Sequence, residues 1–478
     1  MALIFALLAL LCMVIGCRQG PVLYPAYNDQ YEYFLKRCGL TLTQKDQDSG
    51  VLSPVRPLTE FEYTDFSWRE LFSPGTENST AFAAAIVRIF TAPFGLKFHT
   101  DYLLIFWCAV LYTAVFFVTS GLKRSFRYGW SIIPGLLCLL FTDGNFMAVF
   151  RSLYPQGAMI AFGLLYFGFL LDACVRRRTG EKAVLLPAAI SGALFLTADT
   201  SMLLFLPFAV CIYIWFLVPV LRDRRSRFYQ WIPACFVMLA VVLNVVAADW
   251  KTDIYFSKAS RYQSVFNTML PASDDPSLFL LELGLDSSYL PDVGKTYDDD
   301  PSGFSHSPAE DERLFSALTV DNLLFIYQTH PQLLFRVIKD GPAQINSYVN
   351  PENLSLDKDS HGNRFSRTGE GLLGFVRRIL PYNWPVFAVC ILFECLTVVI
   401  LSVYKRRISF LLLIPAFAGA LLYLPSCVIL CGYRFASQYT LFQVFLMDMV
   451  LGFLLAGADY CLERITVWAL RYSKLPAA

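Results

Sequence analysis

The sequence is poor in charge, because only 16% of its 478 residues are Asp, Glu, Lys or Arg, against about 25% in soluble domains. The 39 basic and 38 acidic residues nearly cancel, so no basic surface for nucleic acid is indicated. The 4 histidines are widely spaced, the 13 cysteines lack zinc spacing, and no Walker loop is present. These absences argue against nucleic acid, zinc and ATP as partners.

Apolar residues are abundant, at 56% of the chain with a mean hydropathy of +0.49. A helix that crosses a bilayer needs about 20 mostly apolar residues. The candidate membrane helices span 1–16, 102–121, 129–142, 157–174, 184–198, 202–221, 230–248, 384–404, 408–425 and 439–458. The composition therefore predicts an all-α integral membrane protein with about ten transmembrane helices.

Basic residues gather in the loops on one side of this arrangement. The clusters lie at 123–127, 176–182, 222–227, 405–407 and 464–474. Because Lys and Arg concentrate in cytoplasmic loops, this side is predicted to be the cytoplasm, with both termini there. The predicted divisions are a first helix (1–16), an extracytoplasmic loop with amphipathic helices (17–101), a transmembrane bundle (102–248), an extracytoplasmic α-helical and loop domain (249–383) and C-terminal transmembrane helices (384–478).

The first residues allow two interpretations. The run from Val14 to Cys17 resembles a lipoprotein cleavage site, but no basic residue precedes the apolar stretch. A first membrane helix is therefore favoured. Cys17 and Cys38 lie outside the apolar runs, where they either pair with each other or stay free.

Each extracytoplasmic segment carries one amphipathic pattern. The first runs from Ser79 to Phe94, with Ser79 or Thr80 placed to cap a helix. In the second, apolar residues between 323 and 337 recur near the helical spacing of 3.6. That second helix is predicted to lie on the membrane surface or to pack against the other outer segment.

Asp29 is the first candidate for chemistry. It follows the first predicted helix closely, so it should lie near the outer membrane surface. Partial desolvation makes a carboxylate a better proton acceptor, which suits a general base. Asp29 can equally cap a helix that begins at Gln30. Glu32, in the same stretch, is a further polar candidate.

Other polar residues fall at the predicted outer ends of the helices. They are Asp143, Asn145, Arg151, Tyr154, Gln156, Asp199 and Arg434. Together with Asp29 they can line a pocket for a lipid phosphate and a sugar, since the arginine fork gives a phosphate two aligned hydrogen bonds. The alternative for each residue is ordinary anchoring at the membrane interface.

Glu394 and Asp448 fall well inside apolar helices. A carboxylate at membrane depth is costly and faces the interior of the bundle. Three interpretations stay open for each, namely a polar cavity, a proton path or a hydrogen bond between helices.

Several motifs, taken in order, resemble a known family. They lie at 28–31 with Gly39-Leu40, at Ser79-Thr80, and at 150–156, 255–266, 270–276, 325–331 and 438–448. The chain is similar to bacterial glycan-biosynthesis hexose transferases (the WsfD-like family), which are membrane glycosyltransferases of the GT-C type. It departs from that family at Asn28, where the family usually has Gly, and at Gln156, where it often has Glu.

The resemblance implies a GT-C-like fold and a hexose moved, with inversion, from a polyprenyl-phosphate carrier to a glycan acceptor outside the cytoplasm. Asp29 matches the family's acidic residue, a base or metal ligand, and Arg151 and Arg434 are the expected phosphate ligands. A divalent cation is the one candidate cofactor. The bilayer, the polyprenyl-phosphate sugar and the glycan acceptor are the expected partners. The alternatives are a transporter or flippase of a lipid-linked glycan, centred on Glu394 and Asp448, and a non-catalytic protein of envelope assembly.

Overall fold

The computed structural model describes residues 1–19, 35–43, 59–64, 78–125, 130–179, 185–222, 258–295, 308–339, 384–404 and 414–472. These residues are predominantly helical. The helices are α1 (Ala2–Gln19), α2 (Asn78–Thr91), α3 (Thr100–Ser125), α4 (Ile132–Leu140), α5 (Gly144–Ala148), α6 (Gln156–Thr179), α7 (Leu186–Leu196), α8 (Leu206–Arg222), α9 (Lys258–Tyr262), α10 (Pro276–Glu282), α11 (Pro308–Ala317), α12 (Val320–Thr329), α13 (Trp384–Tyr404) and α14 (Ile414–Tyr472). Helical residues 331–339 follow α12 after a break at His330.

Four of the described helical segments are long and apolar enough to cross a membrane. They are Thr100–Arg124, Gln156–Arg176, Ile414–Gly432 and Phe442–Asp459, and each coincides with a predicted span. The predicted spans 1–16, 184–198, 202–221 and 384–404 correspond to shorter apolar helices. The span predicted at 129–142 contains the short α4, and that at 230–248 lies outside the described residues. The predicted count of about ten spans is thus supported only in part.

The helix α14 is a hairpin of two spans. Its backbone breaks at Gly432, where φ is 71° and ψ is 171°. The rings of Tyr423 and Phe442 lie 5.1 Å apart between centroids, whereas a straight helix would separate these positions by about 28 Å. The two halves of α14 therefore run antiparallel, and Gly432 forms the tip of the hairpin.

Glycines allow the N-terminal helices to approach closely. A Cβ at Gly121 of α3 would lie 2.7 Å from Leu171 on α6, and one at Gly168 of α6 would lie 3.0 Å from Phe117 on α3. A Cβ at Gly16 of α1 would clash with the carbonyl oxygen of Phe141 at the end of α4. Packing of α1 into the bundle thus accounts for the glycine that precedes Cys17, in line with a first membrane helix.

A small antiparallel sheet joins the start of α3 to the preceding segment. Its strands are β1 (Leu40–Leu42), β2 (Glu60–Tyr63) and β3 (Phe98–His99), in the order β1-β2-β3. Phe61 and Phe98 pair across it and are fully buried. The all-α prediction missed this sheet, because strands of two to four residues are too short to show a period of 2.

The amphipathic helix predicted from Ser79 is present as α2. Ser79 and Thr80 were predicted to cap this helix, but both lie inside its first turn and neither is the cap. The Thr80 hydroxyl has no hydrogen-bond partner, and Ser79 bonds to another helix. The Ser79 hydroxyl donates to the carbonyl of Leu194 on α7 and lies 3.2 Å from the Thr197 hydroxyl. The N-terminal end of α2 is therefore fixed to the end of α7.

The bundle has a basic end and a polar end. At the basic end, Arg124 of α3 and Arg176 of α6 both pair with Asp172, at 3.6 Å and 2.6 Å. Two of the five predicted basic clusters therefore share one end. The polar end, as the term is used below, is the opposite one, where α3 and α6 begin.

Helix α7 and the hairpin tip also reach the polar end. Gly192 contacts Tyr166 and Gly163 contacts Phe195, so α7 runs antiparallel to α6 and ends where α6 begins. Asp199, just beyond α7, is within electrostatic reach of Cys427 near the hairpin tip.

Candidate functional site at the polar end of the bundle

A layer of buried aromatic rings lies at the polar end, and we call it the aromatic floor. It consists of Phe146, Phe150, Phe195, Phe205, Tyr423, Phe442 and Phe445. The ring centroid of Phe146 lies 5.7 Å from that of Phe150 and 6.3 Å from that of Phe445. The ring centroids of Phe442 and Phe205 lie 6.4 Å apart. The floor thereby joins α5, α7 and both halves of the hairpin α14 beneath the polar residues.

Asp143 and Asp199, two predicted pocket residues, act as buried helix caps. Asp143 is 3% exposed, and its Oδ1 accepts from the Phe146 backbone N–H at 3.4 Å. Asp199 is also 3% exposed and accepts from the backbone N–H of Ser201 at 2.8 Å. Each carboxylate accepts from a backbone N–H at the start of a helix that would otherwise lack a partner, so both have a structural role at the floor.

Arg151, a predicted phosphate ligand, is engaged by a carboxylate that the sequence patterns did not single out. Its Nε lies 3.2 Å from Asp101 Oδ1, and its side chain is 18% exposed. The backbone N–H of Asp101 donates to His99 Nδ1 at 3.1 Å. A guanidinium has five N–H donors, so one carboxylate contact does not exhaust it. The sequence signal for Asp101 was its position immediately before the predicted span 102–121.

Tyr154 and Gln156 lie where α6 begins. Tyr154 is half-buried, and its backbone N–H donates to Ser152 Oγ at 3.0 Å. Gln156 is 7% exposed. A Cβ at the adjacent Gly157 would lie 3.4 Å from the Phe150 ring, so the start of α6 packs directly on the aromatic floor.

The predicted meeting of Asp29 with Arg151 and Arg434 stays a prediction. Asp29 and Glu32 lie outside the described residues. Arg434 belongs to α14 two residues after the hairpin tip, and Asn145 belongs to α5, but the side chains of both are outside the described part of the chain.

Glu394 and Asp448 are buried inside the bundle, as their positions predict. Glu394 on α13 is 7% exposed, and Asp448 on α14 is 0% exposed. Neither carboxylate oxygen of Glu394 has a hydrogen-bond partner. Neighbouring Leu392 and Phe393 are exposed, as expected for the lipid-facing side of α13. The sequence patterns anticipated the burial of Glu394, but not its lack of a partner.

A π-helix from Gln263 to Met269 packs on the hairpin tip. Its Leu270 N–H donates to the Val265 carbonyl, five residues back. A Cβ at Gly432 would lie 2.6 Å from the backbone carbonyl of Gln263, so only a glycine fits there in this backbone conformation. The apolar pattern could not reveal a π-helix, which differs from an α-helix by a single inserted residue.

Three side-chain and backbone contacts hold this π-helix in place. Asn267 Nδ2 donates to the Gly294 carbonyl at 3.2 Å, and the Gly294 N–H donates to the Phe266 carbonyl at 2.8 Å. Arg261, just before the π-helix, donates to the Phe315 carbonyl at 3.2 Å. Burial lowers the pKa of Arg261 from its usual value.

An ion pair and a histidine–carboxylate contact connect α10 and its preceding turn to the end of α12 and residues 331–339. Arg336 Nη1 donates to Asp274 Oδ1 at 2.5 Å, and this contact lowers the pKa of Asp274 below its usual value of 3.8. His330 Nε2 lies 3.1 Å from both carboxylate oxygens of Glu282. The outer helix predicted between 323 and 337 is thus present as two stretches that break at His330, and these contacts join it to the rest of its own segment. Its predicted placement on the membrane surface or against the other outer segment stays a prediction.

Cys17 and Cys38 are both free thiols, so of the two interpretations left open for them the unpaired one holds. The Cys17 thiol instead faces that of Cys108 on α3. Burial raises the pKa of Cys38 to about 12.

Together, the bundle and its apolar spans define a multi-pass helical membrane protein. Residues 3–468 match the family described as the YfdI N-terminal transmembrane domain, and the chain belongs to that family. No curated protein and no solved structure matches the chain.

Proposed function

We propose that the protein is a membrane glycosyltransferase of the GT-C type. It moves a hexose from a polyprenyl-phosphate carrier to a cell-surface glycan or lipid-linked acceptor on the outer face of the membrane, with inversion. The YfdI family is associated with GT-C-like membrane glycosyltransferases, which supports this class. The closer likeness to the WsfD-like hexose transferases, the bacterial plasma membrane and the cytoplasmic termini are parts of the same proposal.

The observation that carries the proposal is the polar end itself. Half-buried Arg151, buried Gln156 and the helix-capping Asp199 lie where membrane helices begin or end, beside the aromatic floor. A polyprenyl phosphate keeps its tail in the bilayer and its charged head at the interface. An enzyme that uses such a donor therefore needs its polar groups at the ends of its spans.

In the proposed reaction, Asp29 takes the proton of the acceptor hydroxyl. The acceptor oxygen attacks the anomeric carbon, and the bond from that carbon to the phosphate oxygen breaks with inversion. The polyprenyl phosphate leaves with the electron pair, while Arg151 and Arg434 stabilise its charge. Tyr154 and Gln156 orient the sugar, and a divalent cation near Asp29 is the candidate cofactor.

The test is the surface-glycan mass profile of a host that lacks the protein. The host is complemented at equal expression with wild type, with Asp29→Asn, or with Asp46→Asn as a control, since Asp46 is another acidic residue of the same outer segment. We expect wild type and Asp46→Asn to restore a hexose and Asp29→Asn to fail. Restoration by Asp29→Asn would remove the catalytic role of Asp29.

A second candidate, a transporter or flippase of a lipid-linked glycan, is favoured by Glu394 alone. A buried carboxylate without a partner at membrane depth is typical of ion and proton pathways. In the same assay, loss of the hexose with Glu394→Gln but not with Asp29→Asn would support transport. Retention by both variants would favour a non-catalytic role in envelope assembly.

A further inference from the structure

Gln263 is a buried amide with no partner. Its side chain is 0% exposed, and neither the amide nitrogen nor the amide oxygen makes a hydrogen bond. A buried polar group left without a hydrogen bond loses its water partners on folding and so reduces stability. Native proteins retain few such groups, and each one calls for an explanation. If this position only had to fill apolar space, a methionine or leucine would pack there without burying polar atoms.

The setting of Gln263 is that of a positioned ligand group. It is the first residue of the π-helix, a form of helix found frequently at functional sites. Gly294, Phe315 and the hairpin tip at Gly432 hold the π-helix from separate elements. A side chain on a backbone fixed in this way has little freedom left to lose on binding.

The donor and the acceptor of the amide indicate which kind of ligand it can bind. Its Nε2 donates and its Oε1 accepts, and both are without a partner. An ionised phosphate only accepts and would satisfy Nε2 alone. Two neighbouring sugar hydroxyls can accept from Nε2 and donate to Oε1 at once. We propose that Gln263, at the hairpin tip, binds a pair of hydroxyl groups of a hexose.

This inference rests on the proposed function, because it names the sugar-binding group of the same polar end. The hexose belongs either to the lipid-linked donor or to the acceptor glycan. A donor hexose carries phosphate at its anomeric carbon, whereas an acceptor presents free hydroxyls. The two sources can therefore be separated by comparing a hexose 1-phosphate with the free hexose.

The experiment measures ligand-dependent thermal stabilisation of the full chain in detergent. The probes are D-glucose, D-galactose and D-mannose, their 1-phosphates, and inorganic phosphate. The variants are wild type, Gln263→Met, and Gln443→Met as a matched control. Gln443 is also a buried glutamine whose amide atoms have no partner, but it lies within a membrane span.

We expect at least one hexose to stabilise wild type and Gln443→Met, with an apparent affinity at least tenfold weaker in Gln263→Met. Without ligand, Gln263→Met should be as stable as wild type or more so, which separates lost binding from misfolding. If the hexose 1-phosphate binds more tightly than the free hexose, Gln263 binds the donor sugar. If it binds equally or more weakly, Gln263 binds the acceptor sugar.

Three results would overturn the assignment: no stabilisation of wild type by any hexose, equal affinity in Gln263→Met, or a response to inorganic phosphate as large as that to the hexose 1-phosphate. This experiment measures hexose binding, so its result does not depend on whether the protein transfers a hexose. Asp29→Asn can retain transfer and refute the proposed chemistry while hexose binding at Gln263 persists.

Discussion

Among the described residues, buried carboxylate and amide side chains differ in their partners between the two sides of the molecule. On the N-terminal side, Asp143 and Asp199 cap helices and Arg151 pairs with Asp101. On the C-terminal side, the side chains of Gln263 and Gln443 are buried without partners. Satisfied groups stabilise the arrangement of the helices, whereas unsatisfied ones reduce stability unless something binds them. The comparison agrees with a structural role for Asp143 and Asp199 and with the ligand proposed above for Gln263.

The largest effect should come from the hairpin tip that joins the two sides. In Gly432→Ala the new Cβ would lie 2.6 Å from the Gln263 carbonyl, at a φ of 71° that disfavours any side chain. We expect a loss of about 4 kcal/mol or more, or failure to fold. The measurement is the midpoint of thermal unfolding together with the yield of monodisperse protein.

Gly457→Ala is the matched control on the same hairpin, because a Cβ there meets nothing within 4 Å. It should be neutral or stabilise by up to about 1 kcal/mol. Equal behaviour of the two variants would show that the tip does not press on the π-helix.

The next effect is a gain in stability on the C-terminal side. Gln443→Met removes two buried polar atoms without partners and keeps the side-chain length. We expect stabilisation of about 1 kcal/mol, seen as a higher unfolding midpoint. Gln156→Met is the comparison, since Gln156 makes further interactions and should lose stability when they are removed. Destabilisation by Gln443→Met would mean that its amide is satisfied, which would erase the contrast between the two sides.

A smaller effect is expected from the pair of Asp101 and Arg151. Their side chains are 51% and 18% exposed, so solvent screens the pair. A double-mutant cycle with Asp101→Asn and Arg151→Gln should give a coupling of about 0.5–1 kcal/mol. If Arg151 also binds phosphate in the proposed reaction, Arg151→Gln should lose more hexose transfer than its small loss of folding stability accounts for. Transfer at the wild-type level in Arg151→Gln would make the residue purely structural.

The elements that the sequence predicts correctly carry a local signal. The spans around α3, α6 and the two halves of α14 show as apolar runs, and the shared end of Arg124 and Arg176 follows from charge in short loops. The burial of Glu394 follows from the cost of a carboxylate in lipid.

The elements that the sequence did not predict depend on contacts between distant residues. Asp101 meets Arg151 fifty positions later, and Gln263 meets Gly432 across most of the C-terminal half. Neither pairing follows from the spacing of apolar residues along the chain. A single glycine at position 432 does not show that a helix will turn back there. The role of Asp29, the centre of the proposed chemistry, still rests on the sequence.

The smallest predicted effect concerns the ion pair of Arg336 with Asp274, at the surface of the C-terminal side. Arg336 holds the pKa of Asp274 below its usual 3.8, so the pair adds stability above that value and loses it as pH falls through the lowered pKa. Arg336→Gln should therefore be slightly less stable than wild type near neutral pH, and the two should converge as the pH falls below the lowered pKa of Asp274. In an Asp274→Asn background, Arg336→Gln should leave no such pH-dependent difference. A constant difference across the pH range would assign the effect of Arg336 to packing, and its pair with Asp274 would then contribute nothing through charge.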